Sequence, residues 1–347
     1  MNKAANAILA LSRAFYGRRL DQRQYNDLIA CKSMNEVASY LKTRTAYASA
    51  FTAVGTADFS AKTLENVIDE SRFGNFISLC RYELAIGSDF YKYFIVKTEV
   101  EQILKCTLHM IGGNSESYLM QMNAFIDKHL SIDLYALGRA DSLEQIAKSL
   151  EHTAYESLYK RCLSDPERSY LTFELAFNTY FENFKDQLVE HCFKGEEKKK
   201  MREMICRNFD VSFIEKQFRI IRYYKSNNEV TKLSMPASVS LTLLSEKQLR
   251  QLYACTSENE LIAVLKNSPY KDCFDSGADK NIERQMTENF YQYCKKQIRF
   301  SSYPSVVMFS YLFLSEVERN NLVRIIEGIK YKIPPEQIGD SLLGVGD

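Results

Sequence analysis

The side chains best able to do chemistry in this chain are its acids, histidines and cysteines, and their spacing decides what they can do. Two carboxylate pairs, Glu99/Glu101 and Glu316/Glu318, invite an acid–base or metal-binding reading. Residues two apart on a helix point about 200° apart, so neither pair converges unaided, and both read as solvated faces. The four histidines, His109, His129, His152 and His191, include no pair four apart on one helix face. His191 and Cys192 are adjacent, which is poor ligand geometry. Nine cysteines are scattered without a Cys-x-x-Cys, so neither a zinc ribbon nor a redox pair is visible. They read as free, buried thiols, which suits a reducing cytosol. No Gly-x4-Gly-Lys-Ser/Thr loop and no Gly-x-Ser-x-Gly elbow occurs. The sequence therefore offers no catalytic residue, no cofactor and no metal site.

The elements that would have to position such groups are helices. Glycine and proline are scarce, alternation is rare, and apolar residues recur at helical spacing throughout. The fold class is all-α. Its organising unit is Leu137–Tyr155, LGRADSLEQIAKSLEHTAY, which returns as Leu28–Tyr47 and Leu252–Tyr270. Each copy carries a leucine (Leu28, Leu137, Leu252), a serine (Ser33, Ser142, Ser257) and then Glu36, Gln145 or Glu260. An apolar residue (Val37, Ile146, Leu261), a second leucine (Leu41, Leu150, Leu265) and a tyrosine (Tyr47, Tyr155, Tyr270) complete it. Ser-x-x-Glu/Gln is a capping box, in which the serine oxygen accepts an N–H three residues on and the acid or amide reaches back to the serine N–H. Each copy therefore reads as helix, tight turn, helix.

The copies lie roughly 110 residues apart, too far for an array of short helical repeats and about the size of one small domain. Three related helical domains are expected, at 1–115, 116–230 and 231–347. Gly112-Gly113-Asn114-Ser115 ends the first, and Lys225-Ser226-Asn227-Asn228 with Met235-Pro236 brackets the second boundary. A longer amphipathic helix follows each unit, at Leu64–Leu79, Phe173–Leu188 and Ile282–Ile298. Each opens on an apolar residue and a glutamate (Glu65, Glu174, Glu283) that suits the helix dipole, and its aromatics read as core. Lys194–Lys200, KGEEKKK, reads as a solvated connection between helices. The N-terminus reads as an amphipathic helix without a secretory core, and the most apolar window, Val306–Leu314, is too short to span a bilayer. With 45 basic against 44 acidic residues, bulk attraction to nucleic acid is not suggested.

A last helix closes each third. Gln102-Ile103-Leu104-Lys105, Gln217-Phe218-Arg219-Ile220 and Asn321-Leu322-Val323-Arg324 share an amide, an apolar residue and a nearby base. The amide beside an apolar stripe reads as an interhelix hydrogen bond. Lys105, Arg219, Arg222 and Arg324 are the candidates for contact with a partner protein.

Tyr311–Ile338 reads as one final helix. At Glu316-Val317-Glu318, Asn321-Leu322, Arg324-Ile325-Ile326-Glu327-Gly328-Ile329 and Pro334-Pro335-Glu336 it resembles the C-terminal signature of one family. That family is the C-type subunit of the V/A-type rotary ATPases and ATP synthases, whose eukaryotic V-ATPase counterpart is the d-type subunit. The resemblance implies three homologous helical domains arranged with pseudo-threefold symmetry as a funnel around a central cavity. It implies a non-catalytic central-stalk (rotor) component, cytoplasmic and peripheral to the membrane, with no substrate of its own. Its partners would be the D and F shaft subunits in the funnel and the membrane proteolipid ring beneath it, with torque passed between them. The coupling ion, the direction of operation and the ring size are set elsewhere. Two other readings compete: a free-standing helical scaffold that holds a partner helix in a groove, and a helical hydrolase or metalloprotein built from dispersed carboxylates.

Overall fold

A computed structural model describes residues 3–53, 59–85, 89–114, 118, 124–166, 168–223, 241–274 and 281–345. Its regular elements are helices: α1 (Lys3–Gly17), α2 (Gln22–Ile29), α3 (Met34–Arg44), α4 (Ala61–Ala85), α5 (Lys92–Ile111), α6 (Leu134–Gly138), α7 (Leu143–Ser149), α8 (Glu156–Leu163), α9 (Tyr170–Cys192), α10 (Gly195–Tyr223), α11 (Glu246–Ala254), α12 (Glu258–Leu265), α13 (Ile282–Phe300), α14 (Pro304–Lys330) and α15 (Pro335–Ser341). Short 3₁₀ turns cover Ala46–Ala53, Ala124–His129 and Lys271–Cys273. The protein is all-α, and no strand occurs among the described residues. The chain divides into two compact units, Met1–Ser88 with Tyr270–Asp347, and Asp89–Pro269. The second expected linker, Lys225–Asn228 and Met235-Pro236, lies outside the described residues.

The repeated sequence forms three helix–turn–helix units, α2/α3, α6/α7 and α11/α12, as its spacing predicts. Ser33, Ser142 and Ser257 each cap the second helix by accepting the N–H of Glu36, Gln145 or Glu260. The reciprocal bond differs from the expectation. Glu36 accepts the N–H of Lys32 at 2.8 Å, Gln145 that of Asp141 at 3.2 Å and Glu260 that of Thr256 at 2.8 Å, in each case one residue before the serine. Only three or four residues join the paired helices, so the chain folds over the second helix start and presents that earlier N–H. True reciprocal boxes open α2 (Asp21 with Gln24) and α11 (Ser245 with Gln248). The nine repeated apolar residues have no exposure at all. Burying each such side chain stabilises the fold by about 1.5–3 kcal/mol, which is why pattern and packing agree here.

In the first unit α14 runs through the middle and packs on α1, α4 and α13, and the helix–turn–helix α2/α3 seats on its second half. That seat is one cluster in which Leu28, Val37, Leu41 and Tyr47 meet Leu322, Ile325 and Ile326. In the second unit α9 packs on α5, and α6/α7 seats on α5 as α12 seats on α10.

Several boundaries moved. α4 and α9 begin about three residues earlier than expected, because Ser60 and Ser169 cap them. Their glutamates Glu65 and Glu174 therefore lie past the first turn, and only Glu283 stands in one. KGEEKKK is no connection: from Gly195 on it forms the opening turns of α10, with Gly195 at φ 57° making the bend from Phe193. The run is solvated all the same, with Lys198 paired to Glu190 and Lys199 to Glu196. Tyr311–Ile338 is two helices, since α14 begins at Pro304 and ends at Lys330. Lys332 turns to φ 55° and Pro334-Pro335 starts α15, because proline cannot continue a helix but opens one readily.

Candidate functional site

Three acids, Glu99 and Asp210 buried and Glu318 half-buried, fasten the three helix–turn–helix units. Glu99 on α5 is 2 % exposed; its carboxylate accepts the Tyr155 hydroxyl and the Ser131 N–H, each at 2.5 Å. Glu318 on α14 accepts the Tyr47 hydroxyl at 2.7 Å and the Leu20 N–H at 2.9 Å. Asp210 on α10, fully buried, accepts the Leu243 N–H at 2.9 Å and the Thr242 hydroxyl. The geometry repeats: an acid on a long helix takes an N–H from the segment just before the first short helix. Glu99 and Glu318 stand three residues before the amides Gln102 and Asn321, whereas Asp210 stands seven before Gln217, one turn further along the same face.

The sequence order of these clamps matters. The long helix of the first third holds the unit of the second, and that of the second holds the unit of the third. The last long helix, α14, holds the first unit, so the contacts run in a closed cycle through the chain.

Burial shapes the electrostatics. Desolvation pushes the Glu318 carboxyl above its ordinary value, against the pull of the Tyr47 hydrogen bond. Tyr47 and Tyr155 rise well above the usual phenol range, through burial first and their acid partners second. Both tyrosines are therefore fixed as hydrogen-bond donors rather than proton-transfer groups. The expectation that Glu99/Glu101 and Glu316/Glu318 form solvated faces is thus half wrong. Glu101 is exposed, but the 200° divergence that sends it outward turns Glu99 into the core.

The closing-helix amides behave largely as expected. Asn321 donates to the Leu343 carbonyl at 2.8 Å and accepts the Leu343 N–H at 3.0 Å, and Gln102 accepts the Tyr118 hydroxyl at 3.1 Å. Gln217 is the exception: it is 2 % exposed, and its Nε2 has no hydrogen-bond partner among the described residues. Of the candidate contact residues, Lys105 is half-buried, whereas Arg219, Arg222 and Arg324 are exposed. Arg222 lies over the Phe218 ring and 3.9 Å from Glu258. Arg324 donates to the Ser341 carbonyl at 2.7 Å at the end of α15. Arg284 donates to the Asp340 and Leu342 carbonyls, so two arginines and Asn321 dock the tail.

Lys185, 4 % exposed, is held by Glu182 at 2.6 Å between the Phe181 and Phe209 rings. All nine cysteines are free, and burial pushes Cys106 and Cys206 up to about 12. Among the described residues no group of three or more His, Cys, Asp or Glu is placed to hold a metal, and no helix is long and apolar enough to cross a membrane.

Sequence reasoning missed the clamping acids and a hydroxyl two before each closing tyrosine. Thr45, Thr153 and Ser268 donate to the carbonyls of Leu41, Leu150 and Leu265 at 2.6–2.7 Å. The signal was present as Thr-Ala-Tyr, Thr-Ala-Tyr and Ser-Pro-Tyr. For Glu99 and Glu318 the signal was their fixed distance from the amide.

Fold and clamps together define an all-helical repeat protein whose buried polar groups fasten helices to one another. The chain belongs to the ATP synthase (C/AC39) subunit family, whose sequence profile matches residues 8–341. It is accordingly a component of a V/A-type rotary ATP synthase complex. No curated protein gives a match by sequence.

Proposed function

We propose that the chain is a non-catalytic central-stalk component, coupling the D and F shaft subunits to the membrane proteolipid ring. Three related lobes, 1–115, 116–230 and 231–347, would surround a pseudo-threefold axis as a funnel on the cytoplasmic side. The observation that carries this reading is the cycle of clamps, in which the first helix–turn–helix is fastened by the last long helix. Such connectivity suits a closed collar, and densely packed helices supply the stiffness a torque coupler needs. Family membership over nearly the whole chain supports the setting. Exposed Phe300 and Tyr331, at 78 % and 67 %, are apolar surface suited to a partner.

A tagged copy purified under mild conditions is expected to bring down shaft and ring subunits together. Recovery of neither would remove the coupler reading and leave a free-standing scaffold. Arg219→Glu with Arg222→Glu is expected to weaken shaft recovery several-fold while the melting temperature stays within a few degrees. A large drop in melting temperature would mean that these residues serve the fold instead.

A further inference from the structure

Within the first unit, α4 and α13 both run antiparallel to α14. Asp69 of α4 meets Arg319 and Asn75 meets Tyr311, while the Phe290 ring of α13 lies 4.5 Å from that of Phe313. The two helices therefore finish at the same end of the bundle, where α14 begins. Tyr82 follows Asn75 by as many residues as Pro304 precedes Tyr311, so an equal rise per residue sets them level.

Both helices finish on the same pair of residue types. Arg81-Tyr82 and Arg299-Phe300 follow the glutamate of their repeat, Glu65 and Glu283, at the same interval. At that interval α9 carries Glu190-His191 instead, and Glu190 is paired to Lys198 and Arg202. In the first unit both pairs are exposed, Phe300 by 78 %, Tyr82 by 38 % and nearby Leu84 by 56 %. Lys296, one turn before Phe300, is exposed as well. Arg13 of α1 joins this end through the Ile298 and Ser301 carbonyls, at 2.8 and 2.7 Å. Acids are sparse along these segments. α1 has none, α13 has none after Glu288 and α14 has none before Glu316, and Glu83 near the end of α4 is wholly buried.

A basic helix end is ordinary, because cationic side chains in a last turn complement the helix dipole. The dipole gives no reason to hold three large apolar side chains in water beside them. Their placement decides the partner. A groove receives a partner helix, whereas these side chains stand on helix ends, and Phe300 keeps most of its surface. Protruding aromatics among cations suit the interface of an anionic bilayer, where rings lie at headgroup level and basic groups meet phosphates. With a net charge of +1 over the whole chain, such attraction is local rather than general.

We propose that the α4/α13 end of the first unit docks on anionic phospholipid. Phe300, Tyr82 and Leu84 enter the interfacial layer, and Arg81, Lys296 and Arg299 pair with headgroup phosphates. The contact is separate from the shaft and ring contacts proposed above, and vesicles free of other proteins test it alone.

The test is flotation of the purified full chain with vesicles of phosphatidylcholine and phosphatidylglycerol in equal parts, with pure phosphatidylcholine vesicles as the control. Binding to the anionic vesicles is expected, and it should fall as salt is raised. Each cation near an anionic surface is worth about fivefold in affinity, so Arg81→Glu with Arg299→Glu is expected to weaken binding at least tenfold at unchanged melting temperature. Arg250→Glu, at an exposed arginine of the second unit, is expected to leave it unchanged. The chain contains no tryptophan, so Phe300→Trp supplies a lone reporter whose emission should shift to the blue on anionic vesicles. Binding no stronger than to phosphatidylcholine alone, a charge reversal without effect, or bound protein with unshifted emission overturns the proposal. So does a reporter shift seen only with purified shaft or ring subunits, which would give this end to a protein partner.

Discussion

The tyrosine–acid pairs are where single residues are most exposed to test. Tyr155→Phe removes the hydroxyl that donates to Glu99 and leaves a buried carboxylate one hydrogen bond short. A loss of about 1–3 kcal/mol is expected, read as a lower denaturant midpoint with unchanged slope. Tyr47→Phe acts on Glu318 in the same way, so both changes should behave alike if the clamps are equivalent. Glu318 also carries a pH signature. Its folded carboxyl is raised above the ordinary value of 4.5 by desolvation, so the folded state holds that proton more tightly than the unfolded chain. Stability from this group is fully present below about 4.5 and is lost as pH rises through the raised value. The melting temperature of wild type minus that of Glu318→Gln should therefore be larger at pH 5 than at pH 7. The opposite sign would show that the group is held charged. Thiols give a third reading. Cys31, Cys192 and Cys273 keep some exposure, whereas the other six are buried. No more than three should react with a disulfide reagent in the native protein, and all nine after unfolding, since only the thiolate attacks.

Between elements, the tail's docking depends on one close approach. A Cβ at Gly328 would stand 2.6 Å from Cδ1 and 2.7 Å from Cγ1 of Ile338. Gly328→Ala should therefore push α15 off α14 at a cost of about 1–3 kcal/mol, and Ile338→Val should recover part of it. Recovery of nothing would mean that the helix pair tolerates the separation. The caps at Ser33, Ser142 and Ser257 are equivalent in geometry, so each serine-to-alanine change should cost about 1 kcal/mol. Such equivalence was legible beforehand, because a cap is made within three residues of chain. The longer reach of Glu36, Gln145 and Glu260 to the N–H before the serine was not legible, since it depends on how the preceding helix turns over. Tyr311–Ile338 failed as one helix for a similar reason. Apolar periodicity runs on past Lys330, and only the prolines and the left-handed Lys332 reverse the chain.

At the scale of the molecule, the repeated pattern announced an all-α fold with three related helix–turn–helix units, because the same three apolar positions are driven inward in every copy. Periodicity reports which face a residue occupies and capping chemistry reports where a helix starts; both are local, so the chain alone determined them. It could not say which long helix each unit would meet. Glu99 and Glu318 carry the same charge and nearly the same spacing as their solvated neighbours, and a carboxylate becomes a clamp only when a distant tyrosine and a distant backbone N–H arrive beside it. Those partners stand 56 and 32 residues from Glu99, and 271 and 298 residues from Glu318. Tertiary structure alone decided that the last long helix grips the first repeat, and that Glu99 enters the core while Glu101 stays exposed. The physical reason is common to both: burial sets the value of a polar group, and burial belongs to the packed chain rather than to any segment of it.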